Sequence, residues 1–275
     1  MKPYKSVAYI AILLVVLVIV YWAIMPYAAP PWTGFGPYDA TKDVPRAKTL
    51  WDWLDLLIVP LVLSFGVWFL SSAEKESERL VELDRQRQAV LDLFISQMSD
   101  LLLTHKLRSR HVARDIRAIA RTYALGAFRR LDRDRKALAL QFLLESKLIG
   151  HDPVIPLPGA NLRDASLDNA SLAGAEITGA YFRKASFRKA NLTDTNLCGC
   201  DLSHADFAEA TFRGTDLSYT LLKHAKMQNA DLTQANLDWA DVEGADLRGA
   251  KLSREHPTRL KHFDQAKVSR RIFQG

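Results

Sequence analysis

From Ile155 to Arg254 a large apolar residue falls on every fifth position, without one insertion. Written in fives, as Ala160-Asn161-Leu162-Arg163-Asp164 and Ala165-Ser166-Leu167-Asp168-Asn169, the third position is always large and apolar. The first is small, and the second is mostly Asn, Asp, Ser or Thr. A fixed short period is read before anything else, because it sets the architecture. A period of five matches neither the helix, at 3.6, nor the strand, at 2. It matches a chain that turns a corner every five residues, so that four pentads close a square coil of twenty. Stacked coils would pair backbone to backbone at about 4.8 Å.

Residues twenty apart test the stacking. The large inner column reads Leu162, Phe182, Leu202, Leu222 and Val242; the small one reads Ala165, Ala185, Ala205, Ala225 and Ala245. Exceptions fall on exceptions: Thr195 with Thr215, Cys200 with Thr220, and Phe187 with Phe207. Starting at Ile155, the pattern predicts about five coils and a barrel about 24 Å long. Glycine at the fifth position (Gly174, Gly179, Gly199, Gly214, Gly244 and Gly249) suits a turn that needs positive φ.

Upstream the pattern changes. Val7 to Met25 has no charge and no helix breaker, the length a bilayer requires. A cleaved signal peptide is the competing reading of that run, although no small-x-small cleavage site precedes Pro26. A second apolar run, about 51–70, has Asp52 and Asp55 at its start and Pro60 within it, and predicts a second span. The organisation read from these patterns is a membrane anchor over 1–72 with two transmembrane helices (about 7–25 and 51–70) joined by a loop over 26–50. A cytoplasmic helical region follows over 73–150, then the repeat over 151–254, then a cap or tail over 255–275. Lys and Arg are denser at the N-terminus and after the second run than in the loop, which places both termini and the repeats in the cytoplasm. Between Leu70 and Gly126 there is neither Pro nor Gly, so the second run can continue as one long helix. A helix over about 109–131 and a third, capped by Asp132 and ending at Gly150, complete a small bundle.

The A(D/N)LXX pattern resembles the pentapeptide-repeat proteins over roughly a third of the chain. That resemblance implies a right-handed quadrilateral β-helix and says little about function, because fold does not fix activity. Lys48–Leu63 (KTLWDWLDLLIVPLVL), the Arg129–Lys136 stretch (RRLDRDRK) and the repeats, in that order, are similar to membrane-anchored bacterial members of the family. The implied location is the bacterial cytoplasmic membrane.

Charge narrows the chemistry. The net charge is +6. Residues 105–136 hold eleven Lys/Arg against three acids, whereas 160–254 hold eleven against thirteen. The basic segment has three readings: contact with anionic lipid, with Arg129, Arg130, Arg133 and Arg135 as candidates; nucleic-acid binding; or the solvated face of a helix pair. No phosphate-binding glycine loop, nucleophile elbow, HExxH or paired CxxC occurs, so no catalytic residue is assigned and an enzyme is not expected. No cofactor is implied. His204 and His224, twenty apart, could hold a metal, but a third ligand is missing and Lys184 and Lys223 are close in the pattern; a solvated pair is the alternative. The two cysteines, Cys198 and Cys200, should point to opposite sides of the wall, which argues against a disulfide.

Tyr219 and Trp239 are also twenty apart, at the fifth position, and should stack on an outer face. Either they anchor a partner, or the C-terminal tail with Leu260, Phe263, Val268, Ile272 and Phe273 covers them. The functional expectation is a membrane-tethered protein-interaction scaffold. Its alternatives are a membrane signalling or stress-response sensor that couples the spans to the β-helix, and a topoisomerase-directed DNA mimic. A near-neutral repeat counts against the mimic. The protein partner and the oligomeric state are not legible in the sequence.

Overall fold

A computed structural model describes residues 50–109, 113–253 and 259–269, with side chains from Pro60 onward apart from those of 61 and 73. The chain divides into two compact units, Met1–Leu80 and Val81–Gly275.

Within the first unit the described chain is the opening part of a long helix, α1 (Leu50–Leu103). It does not supply the expected second membrane span: among the described residues no helix is long and apolar enough to cross a membrane. Past Leu70 the helix turns polar, with Glu74, Lys75, Glu76, Glu78 and Arg79. The expected first span, 7–25, lies outside the described residues, as does the loop up to residue 49. The fold class of two transmembrane helices ahead of the coil, and the integral-membrane location drawn from it, are corrected on this finding.

The second unit carries the rest of α1, then α2 (Arg114–Arg130) and α3 (Arg133–Glu145). Both α1 and α3 stop without glycine. At the end of α3, Lys147 adopts φ 54°. Its amide donates to the Leu144 carbonyl (2.8 Å), and the Leu148 amide donates to the Leu143 carbonyl (2.9 Å). This is the left-handed helix stop that glycine usually makes, placed three residues before the expected Gly150. Leu148, fully buried, supplies its apolar contact. Lys106 (φ 47°) ends α1 in a similar turn, with buried Leu107 beyond it. Asp132 caps α3 as its side chain accepts from the Arg135 amide at 3.1 Å.

From residue 160 to 253 the chain repeats one unit: a bridge residue, an inward residue, then a turn. The turn is closed by hydrogen bonds such as Ala185 N–H to Phe182 O (2.9 Å) and Ala190 N–H to Phe187 O (3.0 Å). Its third residue has positive φ whether it is glycine or not: Asp164 (60°), Lys184 (61°), His204 (61°) and Trp239 (63°) all do. Glycine therefore eases this turn but does not define it. Parallel bridges join residues twenty apart, from Asn161 with Tyr181 up to Asp231 with Lys251. Among the described residues each pairing is a single-residue bridge rather than a strand, so the expected β-helix carries no strand here. A square coil leaves only one residue per side free to pair before the next corner.

Inside the coil, the third-position residues and the alanines are buried. Phe182, Phe187, Phe207 and Phe212 form one aromatic stack; the Phe187 and Phe207 rings lie parallel at 4.7 Å, flanked by edge contacts of 5.2 Å. The odd members of the small column are those that can reach a carbonyl from a buried position. Thr195 Oγ1 donates to Leu172 O (2.8 Å), Thr215 Oγ1 to Leu192 O (2.6 Å) and Cys200 Sγ to Ile177 O (2.9 Å). A buried hydroxyl without such a partner would be costly. Both cysteines are free. Burial pushes the Cys200 thiol up to about 12, so it is an inert thiol at neutral pH.

Other segments pack on both ends of the coil. Below, α2 and α3 continue its core: Phe128, Leu140, Leu143 and Leu148 belong to the same buried cluster as Leu162 and Phe182. Lys136, nearly buried, donates to the Arg163 carbonyl at 2.8 Å, and Arg121 donates to the carbonyls of Pro156 and Pro158. Above, the tail adds part of another coil: Asp241 bridges Lys261 and Asp246 bridges Lys267. The spacing slips from twenty to twenty-one across the short 3-10 turn Phe263–Gln265. Where these segments pair with the coil they satisfy backbone groups that would otherwise offer an edge to other chains.

Asp246, buried in this upper region, accepts from Gln228 (2.7 Å) and from Arg248 Nη2 (2.6 Å). The Arg248 guanidinium first, against burial, and then Gln228 hold its carboxyl down at about 2. A folded pKa below the unfolded value of ~3.9 gives stability that is fully present above that value and is lost as pH falls toward 2. We expect Asp246→Asn to cost ~1–2 kcal/mol at pH 7 and much less near pH 2. Urea midpoints measured at both values check this.

Candidate functional site

The bridge registers place every outward side chain in a column. The fifth-position column on one corner reads Gly179, Gly199, Tyr219 and Trp239, and the second-position column just around that corner reads Asn161, Tyr181, Asp201, Leu221 and Asp241. Among the described residues 155–253, the large hydrophobic side chains that are exposed are Tyr181 (44%), Tyr219 (61%), Leu221 (43%) and Trp239 (56%). All four belong to these two columns. Tyr219 and Leu221 flank the buried Thr220, so they splay on either side of the corner. The described tail does not cover the aromatics. The Trp239 amide donates to the Arg259 carbonyl (2.9 Å), and Lys261 Nζ lies 5.7 Å from the centre of the Trp239 ring. On the lower coils Arg163 sits over Tyr181 in the same way, at 5.8 Å.

Tyr219 (φ 58°) and Trp239 (φ 63°) hold the left-handed conformation, where a side chain costs about 1 kcal/mol or more relative to glycine. Both side chains nevertheless stay more than half exposed. Tyr181 and Leu221 escaped the sequence reading, yet both are large apolar residues at a second position otherwise held mostly by Asn, Asp, Ser and Thr. That mismatch was the signal.

The histidine column is formed: the His204 and His224 rings stack at 5.1 Å. Burial first, then Arg183, His224 and Lys184, lower the His204 pKa, so the surroundings oppose a cation there. A second set, Asp241, Glu243 and His262, brings three ligand-type atoms within 4.8 Å of one another. Lys223 Nζ already lies 2.6 Å from Glu243 and 3.2 Å from Asp241, and His262 Nδ1 is 2.9 Å from Asp241. This cluster is a clasp between coil and tail, with an ammonium where a metal would sit.

The four arginines of the basic segment are not brought together in one role. Arg129 and Arg130 are exposed in the last turn of α2, where they complement the helix dipole. Arg133 is exposed and offers its carbonyl to Ser166. Arg135 is largely covered and paired with Asp84 (2.8 Å) and Asp132 (2.5 Å). The inner columns Leu162, Phe182, Leu202, Leu222 and Val242, and Ala165, Ala185, Ala205, Ala225 and Ala245, are all buried.

A family model described as pentapeptide repeats matches the chain in 8 copies, over residues 157–183, 180–218, 190–229 and 215–254. The coil is therefore a run of pentapeptide repeats. Among solved structures, the chain is similar to the pentapeptide repeat protein Rfr23 from the cyanobacterium Cyanothece 51142, at 23% identity over 35% of this chain and 61% of that one (TM-score 0.29). It is also similar to HetL, a pentapeptide repeat protein involved in heterocyst differentiation regulation from Nostoc sp. strain PCC 7120, at 26% identity over 39% and 55% (TM-score 0.24). A third is a pentapeptide repeat protein from the Arabidopsis thaliana thylakoid lumen, at 23% identity over 34% and 68% (TM-score 0.24). The chain thus spans less than two thirds of the first two structures. No curated protein matches it.

Proposed function

We propose that this protein is a protein-interaction scaffold in which α2, α3 and the described tail (259–269) pack on the ends of a stiff repeat, and whose partner docks on the corner carrying Tyr181, Tyr219, Leu221 and Trp239. The observation that carries the reading is the gathering of the coil's exposed large apolar side chains onto that one corner. Scattered apolar residues are ordinary on a surface; a line of them is the mark of a contact site. Aromatic anchors beside cations are the composition found at binding hot spots. Stacked repeats hold such a line fixed, because each coil is pinned by its neighbours through the backbone. The reading is of binding rather than catalysis.

The test compares the full chain with the double substitution Tyr219→Ser and Trp239→Ser in crosslinking capture from native lysate. Hot-spot aromatics cost about 2 kcal/mol or more each when truncated. A specific band held by the parent and lost by the variant, at an unchanged melting temperature, is the expected result. Identical capture by both proteins rejects the corner as the docking site.

A further inference from the structure

Two sides of the coil's lower end, at Asn161 and Ser171, are left without a backbone partner among the described residues. Between coils, each second-position amide donates to a first-position carbonyl in the coil beneath, as from Tyr181 to Ala160 (2.9 Å) and Asn191 to Ala170 (2.9 Å). The first coil has no coil beneath it, and the helices stand in on two sides. The Ser166 amide donates to the Arg133 carbonyl (3.0 Å) and the Glu176 amide to the Ile149 carbonyl (2.7 Å). Ser171, on the side between them, is exposed, and its amide has no partner among the described residues.

Here α3 stands away from the edge. A groove of ≈ 430 Å³ opens between Asp134, Ala137, Leu138 and Gln141 of α3 and residues 166–172 of the coil. That volume lies within the range of ligand sites. Leu138 is 54% exposed on the helix wall. The lining includes Asp134 and Asp168 and no Lys or Arg. Asp168 uses one oxygen on Ser186 Oγ and the Arg188 amide. Its other oxygen, and both of Asp134, have no partner among the described residues.

We propose that this groove binds an extended, basic peptide segment of a partner protein by adding it to the coil as a strand. The Ser171 amide and the downward carbonyls beside it supply main-chain pairing, as an open edge does in strand addition. Leu138 and Ala137 offer an apolar wall to alternate side chains, and Asp134 and Asp168 select positive charge. The site is separate from the aromatic corner and does not depend on it.

The experiment measures fluorescence anisotropy on the full chain with a fluorescein-labelled octapeptide alternating lysine and valine. Two comparison peptides replace lysine by glutamate, or carry N-methyl groups on alternate amides. The lysine peptide should bind saturably and at least about tenfold more tightly than either. Ser171→Pro, and separately Asp134→Lys with Leu138→Lys, should each weaken it by about tenfold or more. Far-UV circular dichroism checks the fold; the α3 substitutions lie on an exposed face and carry the test if Ser171→Pro does not fold. Tyr219→Ser with Trp239→Ser should leave this binding unchanged, which separates the groove from the corner. No saturable binding, equal binding of all three peptides, or variants that bind like the parent overturn the proposal.

Discussion

Replacing Phe207 by Ala is expected to lower the unfolding free energy by ~3–5 kcal/mol. Phe207 is fully buried and stands in the middle of the ring stack, parallel to Phe187 at 4.7 Å and edge-on to Phe212 at 5.2 Å. Its removal deletes transfer free energy and also leaves a cavity that the coil cannot close. Each corner is fixed by backbone bonds to the coils above and below, such as Phe207 N–H to Lys226 O (2.6 Å) and Asp206 N–H to Ala185 O (2.9 Å). A wall pinned on both edges has little freedom to collapse. Phe207→Leu, which keeps most of the volume, should recover more than half of the loss. Urea denaturation followed by circular dichroism gives both numbers, and equal midpoints for the parent and Phe207→Ala would contradict the inward register.

Leu143→Ala, at the other end of the same core, is expected to cost ~2–5 kcal/mol and to do so for helices and coil together. Leu143 is fully buried, and its carbonyl accepts the Leu148 amide that stops α3. The buried cluster runs without a break from Leu91 and Phe94 through Leu143 to Leu252. Polar ties cross the junction too, from Lys136 to the Arg163 carbonyl and from Ile149 to the Glu176 amide. If the helical region were a separate module, the variant would melt the helices and spare the coil. The expected observation is one cooperative transition, shifted equally whether followed by helical ellipticity or by hydrogen exchange at coil amides such as Phe207. Two separated transitions would show that the cap is dispensable.

Particular residues show how far the sequence could be read. The pentad alone placed Leu202 and Ala205 inside and Tyr219 and Trp239 outside, because side-chain direction in a stacked coil is set by position in the repeat. It also brings Phe187 onto Phe207 and His204 onto His224. It did not show that Lys106 and Lys147 would take the left-handed helix stops, since that conformation depends on buried Leu107 and Leu148 beyond them. Nor did it show that Arg135 would pair with Asp84, fifty-one residues away. Charge density along the chain made Arg135 look like one of four equivalent arginines, and only packing distinguished it. The apolar run over about 51–70 predicts a membrane span, whereas among the described residues no helix is long and apolar enough to cross a membrane.

What the sequence determined by itself is the coil: its period, its inner columns and the direction of each outer side chain. Those follow from a local rule, five residues per corner, repeated until neighbours twenty apart must meet. What only the tertiary structure decided is how the coil ends and which parts of its surface stay open. The helices pair two sides of the lowest coil and leave the Asn161 and Ser171 amides without a partner among the described residues. The tail climbs onto the upper edge with a one-residue slip and leaves Trp239 exposed beneath Lys261. Those outcomes depend on contacts between segments far apart in the chain, whose geometry no repeat encodes.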